Sequence, residues 1–167
     1  MASAARPVVV AYDGSEPARN AVRAAAELFV GRPLLVISVW EAGLAMEMAP
    51  ARDPTGLTFG MMPSAEEVMA VDRAQHDRAI EVAEEGVRLA RELGASATAL
   101  PVAQELDPAH TIAALAGDHD ACAIVVGSRG LGGMASRFLG SVSREVLSRA
   151  ERPVLVVKVT ESAEGSA

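Results

Sequence analysis

The chain contains five short runs of mainly apolar residues, and the segments between them carry apolar residues at helical spacing. The runs are Val8–Ala11, Leu34–Trp40, Ala97–Val102, Ala121–Val126 and Pro153–Val159. Continuous runs of this length are typical of strands that are buried on both faces of a parallel sheet. Strands that alternate with helices imply right-handed crossovers. The sequence therefore predicts an α/β fold, with a single doubly wound, five-stranded parallel sheet and helices on both faces.

The composition agrees with this fold. Apolar residues make up 50% of the chain but aromatic residues only 3%, so the core must be built from Val, Leu, Ile and Ala. The length of 167 residues suits one domain. We expect this domain to span residues 1–159, followed by a small, polar and flexible tail over residues 160–167.

Charge and hydropathy argue against some classes of partner. The net charge of −7 argues against nucleic acid, because a phosphate-backbone binder needs a basic face. No apolar run approaches the roughly 18 residues of a membrane span. The start of the chain lacks the pattern of a signal peptide, and the single cysteine, Cys122, allows no internal disulfide. We expect a cytoplasmic protein that contacts no membrane.

Capping residues predict where the helices begin. Ser15 precedes the first helix, and Ser64 with Glu67 forms a capping box before a long helix that ends near Leu93. Asp107 begins a third helix, and a fourth extends from about Ser141 to Ala150. The charged face of the long helix, which includes Glu85, is interpreted as solvated. The segment 41–63 is rich in Pro, Gly and Met; it is either a floppy insertion or the lining of a pocket or partner surface.

A glycine-rich segment, Gly127–Ser143, follows the fourth run. Its five glycines let backbone N–H groups face a concavity. Arg129 and Arg137 add cationic donors suited to phosphate, and Ser141 begins a helix whose N-terminus favours anions. These features predict a phosphate cradle in preference to a flexible surface loop. The chain has no P-loop ending in Gly-Lys-Ser/Thr, and residues 130–135 match a dinucleotide fingerprint only by their letters.

The glycine spacing resembles a known signature. Gly127, Gly130, Gly140 and Ser141 have the form Gly-x2-Gly-x9-Gly-Ser, which is similar to the ATP-binding signature of the universal stress protein family. Residues 8–15 resemble the first strand and turn of that family, and residues 153–157 resemble its last strand. The resemblance covers roughly residues 7–159. It implies a Rossmann-like fold of the adenine nucleotide alpha hydrolase type that binds ATP.

The resemblance also implies which residues contact the nucleotide. They are Ala11, Asp13, Val39, Val126, Gly127, Arg129, Gly130, Gly140, Ser141, Val142 and Ser143. Asp13 would lie near the adenosine and is a candidate Mg²⁺ ligand, and the backbone of Val39 would meet the adenine. Ser143 is a weaker candidate than its neighbours. The residues alone leave Asp13 open, because an Asp-Gly-Ser sequence also forms an Asx-type turn.

Four functions remain open at the level of sequence. A stress-response regulatory protein would bind ATP, and its occupancy would set its conformation or its partner. A slow ATPase or phosphotransferase would need a base, and none is evident apart from Asp13. A cyclic AMP-binding protein could use the same cradle. A ligand-free interaction protein could form a homodimer through the last strand, Val154–Val159, if that strand lies at a sheet edge; the resemblance also implies a dimer there.

Overall fold

A computed structural model describes residues 5–43, 64–104, 106–128 and 139–158. The strands are β1 Val8–Ala11, β2 Leu34–Trp40, β3 Ala97–Ala103, β4 Ala123–Gly127 and β5 Val154–Val157; the helices are α1 Glu16–Leu28, α2 Ala65–Glu92, α3 Pro108–Asp118 and α4 Ser141–Arg149. Each predicted strand and helix is present, with ends that differ by up to two residues. Most of the 41–63 insertion and the tail lie outside the described residues.

The strands form one parallel sheet in the order β3-β2-β1-β4-β5. This arrangement confirms the predicted fold class. From β1 the chain proceeds outward to β2 and β3, whereas β4 leads to β5 on the opposite side. The two directions diverge between β1 and β4, and ligands of open α/β sheets bind beyond the strand ends at such a switch point.

Two buried layers cover the sheet. Helices α1 and α2 pack against one set of alternating strand residues, among them Val8, Val10, Leu34, Val36 and Val125. Helices α3 and α4 pack against the other set, which includes Val9, Ile37, Ile124 and Val126. Aliphatic side chains and alanines make up nearly all of the described core, with Tyr12 as an aromatic exception. Both faces of the sheet are therefore covered by helices, as its continuous apolar strands require.

Helix α2 is longer than the sheet that it covers. Its 28 residues extend about 42 Å at about 1.5 Å per residue, whereas the seven residues of β2 span about 23 Å. Buried residues of α2 begin at Ala79. Val71 and Leu93 are 37% and 49% exposed, so the apolar residues near the two ends of α2 lie outside the core. In the described parts of the chain, no helix is long and apolar enough to cross a membrane.

Candidate functional site

The carboxyl ends of β1 and β4 and the start of α4 meet at one edge of the sheet. Strands β1 and β4 are direct neighbours. The N–H of Gly140 donates to the carbonyl of Ser128 at 2.7 Å, so the chain returns to the end of β4 just before α4 begins. Ala11, Val126 and the turn after β1 lie at this same edge. The structure thus brings the two halves of the predicted site together.

Two members of the predicted site cannot be placed, and one lies a strand away. Arg129 and Gly130 are outside the described residues. Val39 lies near the end of β2, beside β1, half-buried and packed against the core on the α3 and α4 side. The next residue, Trp40, approaches His76 of α2 edge-on, with ring centroids 5.6 Å apart. The end of β2 therefore carries an aromatic pair on one face and Val39 on the other.

The turn after β1 is held by the side chains of Asp13 and Ser15. Oδ1 of the half-buried Asp13 accepts from the N–H of Ser15 at 3.0 Å, and Gly14 between them has a φ of 80°. The hydroxyl of Ser15 then accepts from the N–H of Ala18 and caps α1. Asp13 thus forms the Asx-type turn that its sequence allows. A carboxylate has about four acceptor positions, so this bond is compatible with a ligand role as well.

Gly127 lies against the first turn of α1. An added Cβ at this position would be 2.6 Å from the carbonyl carbon and oxygen of Pro17 and 2.9 Å from its Cβ. Real side chains essentially never approach backbone so closely. The absence of a side chain at Gly127 is therefore required by packing within the protein, whatever the ligand does.

Helix α4 differs from the other three helices at its N-terminus. Ser15, Ser64 and Asp107 each accept a backbone N–H of their own helix through a side-chain oxygen. The N-cap of α4 is Gly140, which makes no side-chain cap hydrogen bond. Ser141 in its first turn is exposed, as is Val142. First-turn amides without a capping side chain can donate to an anion, which the helix dipole also favours.

The third residue of α4, Ser143, is turned into the protein. Its side chain is only 4% exposed, and its hydroxyl donates to the carbonyl of Gly127 at 2.6 Å. The far end of the helix is anchored as well, because Arg149 pairs with Asp107. The N–H of His110 and then Arg149 lower the pKa of the Asp107 carboxyl below its usual range. Helix α4 is thus tied to β4 at its start and to α3 at its end.

A polar cluster that the sequence analysis missed lies behind the β1 turn. Glu85 of α2 accepts from the hydroxyl of Tyr12 at 2.8 Å and from Nη2 of Arg19 at 2.8 Å. Burial and the hydrogen bond to Glu85 raise the pKa of Tyr12 to about 12. Arg19 and then Tyr12 lower the pKa of Glu85. The cluster joins β1, α1 and α2 immediately before Asp13.

The sequence contained one signal for this cluster. Gly86 stands in the middle of a long helix, where glycine is unfavourable. An added Cβ there would lie 2.8 Å from Cγ1 of Val36 and 3.0 Å from Cγ of Tyr12. A glycine in mid-helix thus indicates the face that approaches the sheet closely, and Glu85 borders that face. The charged pattern led to the interpretation of Glu85 as solvated, whereas its carboxylate is partly buried in this cluster.

No ready-made metal centre is found in the described parts of the chain, where no three His, Cys, Asp or Glu side chains form a group. Mg²⁺ is commonly bound by one or two carboxylates together with substrate phosphates. The Asp13 carboxylate fits such a shared site, since it lies half-buried at the edge where α4 begins.

Comparisons with known proteins agree with this architecture. The model of the universal stress protein family matches residues 4–158. A protein of Thermus aquaticus, described as the universal stress protein in the QAH/OAS sulfhydrylase 3′ region, is 34% identical over 159 residues, which are 92% of this chain and 98% of that protein.

Solved structures of similar proteins have the same fold. A universal stress protein from Archaeoglobus fulgidus is 26% identical, with a TM-score of 0.60 over 91% of this chain and 93% of that one. A universal stress protein in complex with cAMP is 25% identical, with a TM-score of 0.63 over 95% of this chain and 100% of that one. The sheet is therefore of the adenine nucleotide alpha hydrolase-like type, and the chain belongs to the universal stress protein family.

Proposed function

We propose that this protein binds an adenine nucleotide, ATP by preference, across the carboxyl ends of β1 and β4. The observation that carries the proposal is the N-terminus of α4. It has a glycine in place of a capping side chain, and the Gly140–Ser128 hydrogen bond holds it against β4. A phosphate group is the ligand that such an end favours, through both its amides and its dipole.

Each part of the nucleotide would contact a different strand end. The phosphates would accept from the first turn of α4 at Ser141 and Val142, and Arg129 and Gly130 would lie along them. The ribose would lie between Asp13 and the end of β4. The adenine would meet the backbone of Val39, one strand further along the sheet. Parallel strands put all of these groups at one edge.

Bound Mg²⁺ would neutralise phosphate charge. Asp13 would share the ion with the phosphates while its Oδ1 keeps the turn to Ser15. Because the turn needs only one of the acceptor positions of the carboxylate, the two roles do not compete for the same lone pair. Removal of Mg²⁺ should weaken ATP binding more than cyclic AMP binding, since the triphosphate carries the larger charge.

The relative in complex with cAMP supports an adenine nucleotide as the ligand and makes cyclic AMP the alternative to ATP. Uncapped amides of a helix N-terminus can donate to either kind of phosphate. The two ligands differ in length, because only a triphosphate would reach along the segment that holds Arg129. A higher affinity for ATP than for cyclic AMP would therefore indicate that this segment takes part in binding.

The proposed role is regulatory: nucleotide occupancy would set the conformation of the site or the binding of a partner in a stress response. Hydrolysis needs a base that positions water. We assign Asp13, a carboxylate at this edge, to the turn and to Mg²⁺ rather than to the role of a base. A partner could include a second copy of the chain, because β5 lies at the edge of the described sheet and its unpaired backbone groups can pair across a two-fold axis.

The first test identifies the ligand. Freshly purified protein is heat-denatured and any released nucleotide is identified by mass spectrometry; emptied protein is then titrated with ATP and with cyclic AMP. Ser141→Ala should weaken ATP binding by about 10- to 150-fold, the value of one hydrogen bond to a charged group. Ser148→Ala changes an exposed serine of the same helix and should have no effect.

The titrations also decide between the alternatives. Binding of cyclic AMP alone would keep the site but change the signal. Absence of binding by folded protein would refute the proposal and favour the interaction protein. Rapid multiple turnover of ATP that is lost in Asp13→Ala would identify an enzyme.

A further inference from the structure

We infer that Ser143 positions the anion-binding end of α4 through its hydroxyl, and that it contributes only its backbone N–H to the ligand. The inference rests on the proposed function, since it concerns the same site. It gives Ser143 a different role from Ser141, which is exposed at the start of the helix.

The donor of Ser143 is already used. A serine hydroxyl has one proton to donate, and this proton lies on the 2.6 Å bond to the carbonyl of Gly127. The side chain is 96% buried, on the side of the helix that faces β4. A phosphate beyond the N-terminus of α4 would have to break this bond to receive the hydroxyl proton. The backbone N–H at the third helical position points along the helix axis instead and remains suited to an anion.

The acceptor of this bond is held from its other side. Gly127 is wedged against Pro17, where even a Cβ would not fit. The neighbouring residue, Ser128, accepts from the N–H of Gly140 at 2.7 Å and donates its own N–H to the carbonyl of Val157 at 2.7 Å. The carbonyl of Gly127, which accepts from Ser143, therefore cannot move without disturbing α1 or β5. This gives the hydroxyl a fixed reference for the direction of α4.

Apart from the Gly140–Ser128 backbone hydrogen bond, the other contacts that hold α4 lie further along the helix. Val146 is fully buried in the layer below the sheet, and Arg149 pairs with Asp107 at the far end. These contacts fix the position of the helix axis but lie one and two turns away from the ligand. The Ser143–Gly127 bond is the side-chain contact of the first turn that the described structure records. Its loss should let the first-turn amides reorient, which lowers affinity by reducing preorganisation.

The test compares four variants of the full chain by titration of nucleotide-free protein and by its urea unfolding without ligand. Ser143→Ala removes the hydroxyl, and Ser143→Cys nearly keeps the volume but donates weakly. Ser143→Thr keeps the hydroxyl. Ser148→Ala is the matched control on the exposed face. The ligands are ATP and adenosine, which lacks the phosphates.

We expect Ser143→Ala and Ser143→Cys to lower ATP affinity by about three- to tenfold while adenosine affinity stays within about twofold. Both should also unfold at lower urea concentration without ligand, because the bond exists before the ligand binds. Ser143→Thr should restore ATP binding, and Ser148→Ala should match the wild type.

Three results would overturn the inference. They are unchanged ATP affinity in both hydroxyl-free variants, an equal loss of ATP and adenosine affinity, and a loss of ATP affinity without any loss of ligand-free stability, which would indicate a direct contact from the hydroxyl to phosphate. If Ser143→Ala does not fold, the comparison of ATP affinity between Ser143→Cys and Ser143→Thr tests the inference on its own. Absence of ATP binding by the wild type would instead refute the proposed function.

Discussion

The Gly127→Ala substitution tests whether the first glycine of the signature serves packing or ligand approach. The added methyl would lie 2.6 Å from two backbone atoms of Pro17, whereas carbon atoms in contact are normally about 3.5–4.0 Å apart. The obstacle is backbone in the first turn of α1 and cannot rotate away. Either α1 or the end of β4 must shift by roughly 1 Å to restore normal contact.

The size of the effect follows from two opposing contributions. Overpacking a well-packed interior costs about 1–3 kcal/mol. Alanine also restricts the unfolded chain, which stabilises by about 0.4–1 kcal/mol where the native backbone accepts it; Gly127 is not among the glycines with positive φ. The net loss in the free energy of unfolding should therefore be about 1–2 kcal/mol. For a chain of this size it corresponds to a fall in Tm of about 2–8 °C.

The assay is urea unfolding of the nucleotide-free protein, with Gly117→Ala as the matched control. Gly117 lies in α3, is exposed, and has nothing within 4 Å of an added Cβ. Alanine is the better helix former there, so this variant should gain about 0.5–1 kcal/mol. The same chemical change is thus expected to have opposite signs at the two positions.

Two results would contradict the packing explanation. The first is that Gly127→Ala leaves the ligand-free protein as stable as the wild type and weakens only ATP binding. In that case glycine would be needed at position 127 to let the ligand approach the backbone, and not for packing. A loss of stability in the Gly117→Ala control would show that the sign is not determined by the space around the added methyl.

Three further results are expected. Tyr12 is the only tyrosine in the chain, and its pKa is raised to about 12. Ultraviolet titration should therefore show its phenolate only well above pH 10. The protonated hydroxyl should contribute fully to stability below pH 10.0, and this contribution should be lost as the pH rises towards 12. Glu85→Gln should lower the pKa of Tyr12, and identical titration curves for this variant and the wild type would contradict the contact between Glu85 and Tyr12. Because the pKa of Asp107 is lowered, its carboxylate stabilises the fold at any pH above the ordinary pKa of 3.8. This stabilisation is lost as the pH falls through the lowered pKa. Asp107→Asn should therefore be less stable than the wild type at neutral pH and converge with it in acid; a constant difference in urea unfolding would exclude the charge as the cause. Trp40, the only tryptophan, follows the position predicted to meet the adenine, so ATP should change its fluorescence, and unchanged emission with confirmed binding would place the base away from β2.

Local sequence signals were sufficient to predict the fold. The apolar runs identified every strand, and Ser15, Ser64 and Asp107 cap the helices that they were predicted to begin. These signals act over a few residues, so they can be read from the chain without knowledge of its neighbours in space. The part of α2 that is buried was less predictable, because its helical period continues beyond the sheet and does not indicate where the core ends.

Contacts between distant residues were not predictable in the same way. Glu85 lies 73 residues from Tyr12 and 66 from Arg19. Helical periodicity gives only the face on which Glu85 lies, and a carboxylate on a charged face is usually solvated. The partner of Ser143 was missed for a related reason: the glycine-rich pattern suggests that every polar group points at phosphate, whereas this hydroxyl is needed inside the protein.

The glycines of the signature therefore meet different physical requirements. Gly127 has no room for a side chain because α1 is packed against it. Gly140 has φ of −60° and ψ of 161°, a conformation open to other residues, so backbone freedom does not explain a glycine there. A Ser, Thr, Asn or Asp at this N-cap would supply an oxygen that accepts from the first-turn amides, and that oxygen would compete with a phosphate for the same donors. Glycine gives up a capping bond and leaves the donors to the proposed ligand. If the proposed function is correct, a match to the spacing combines one condition for folding with another for binding, and a chain that kept only Gly127 would retain the fold without the proposed anion site.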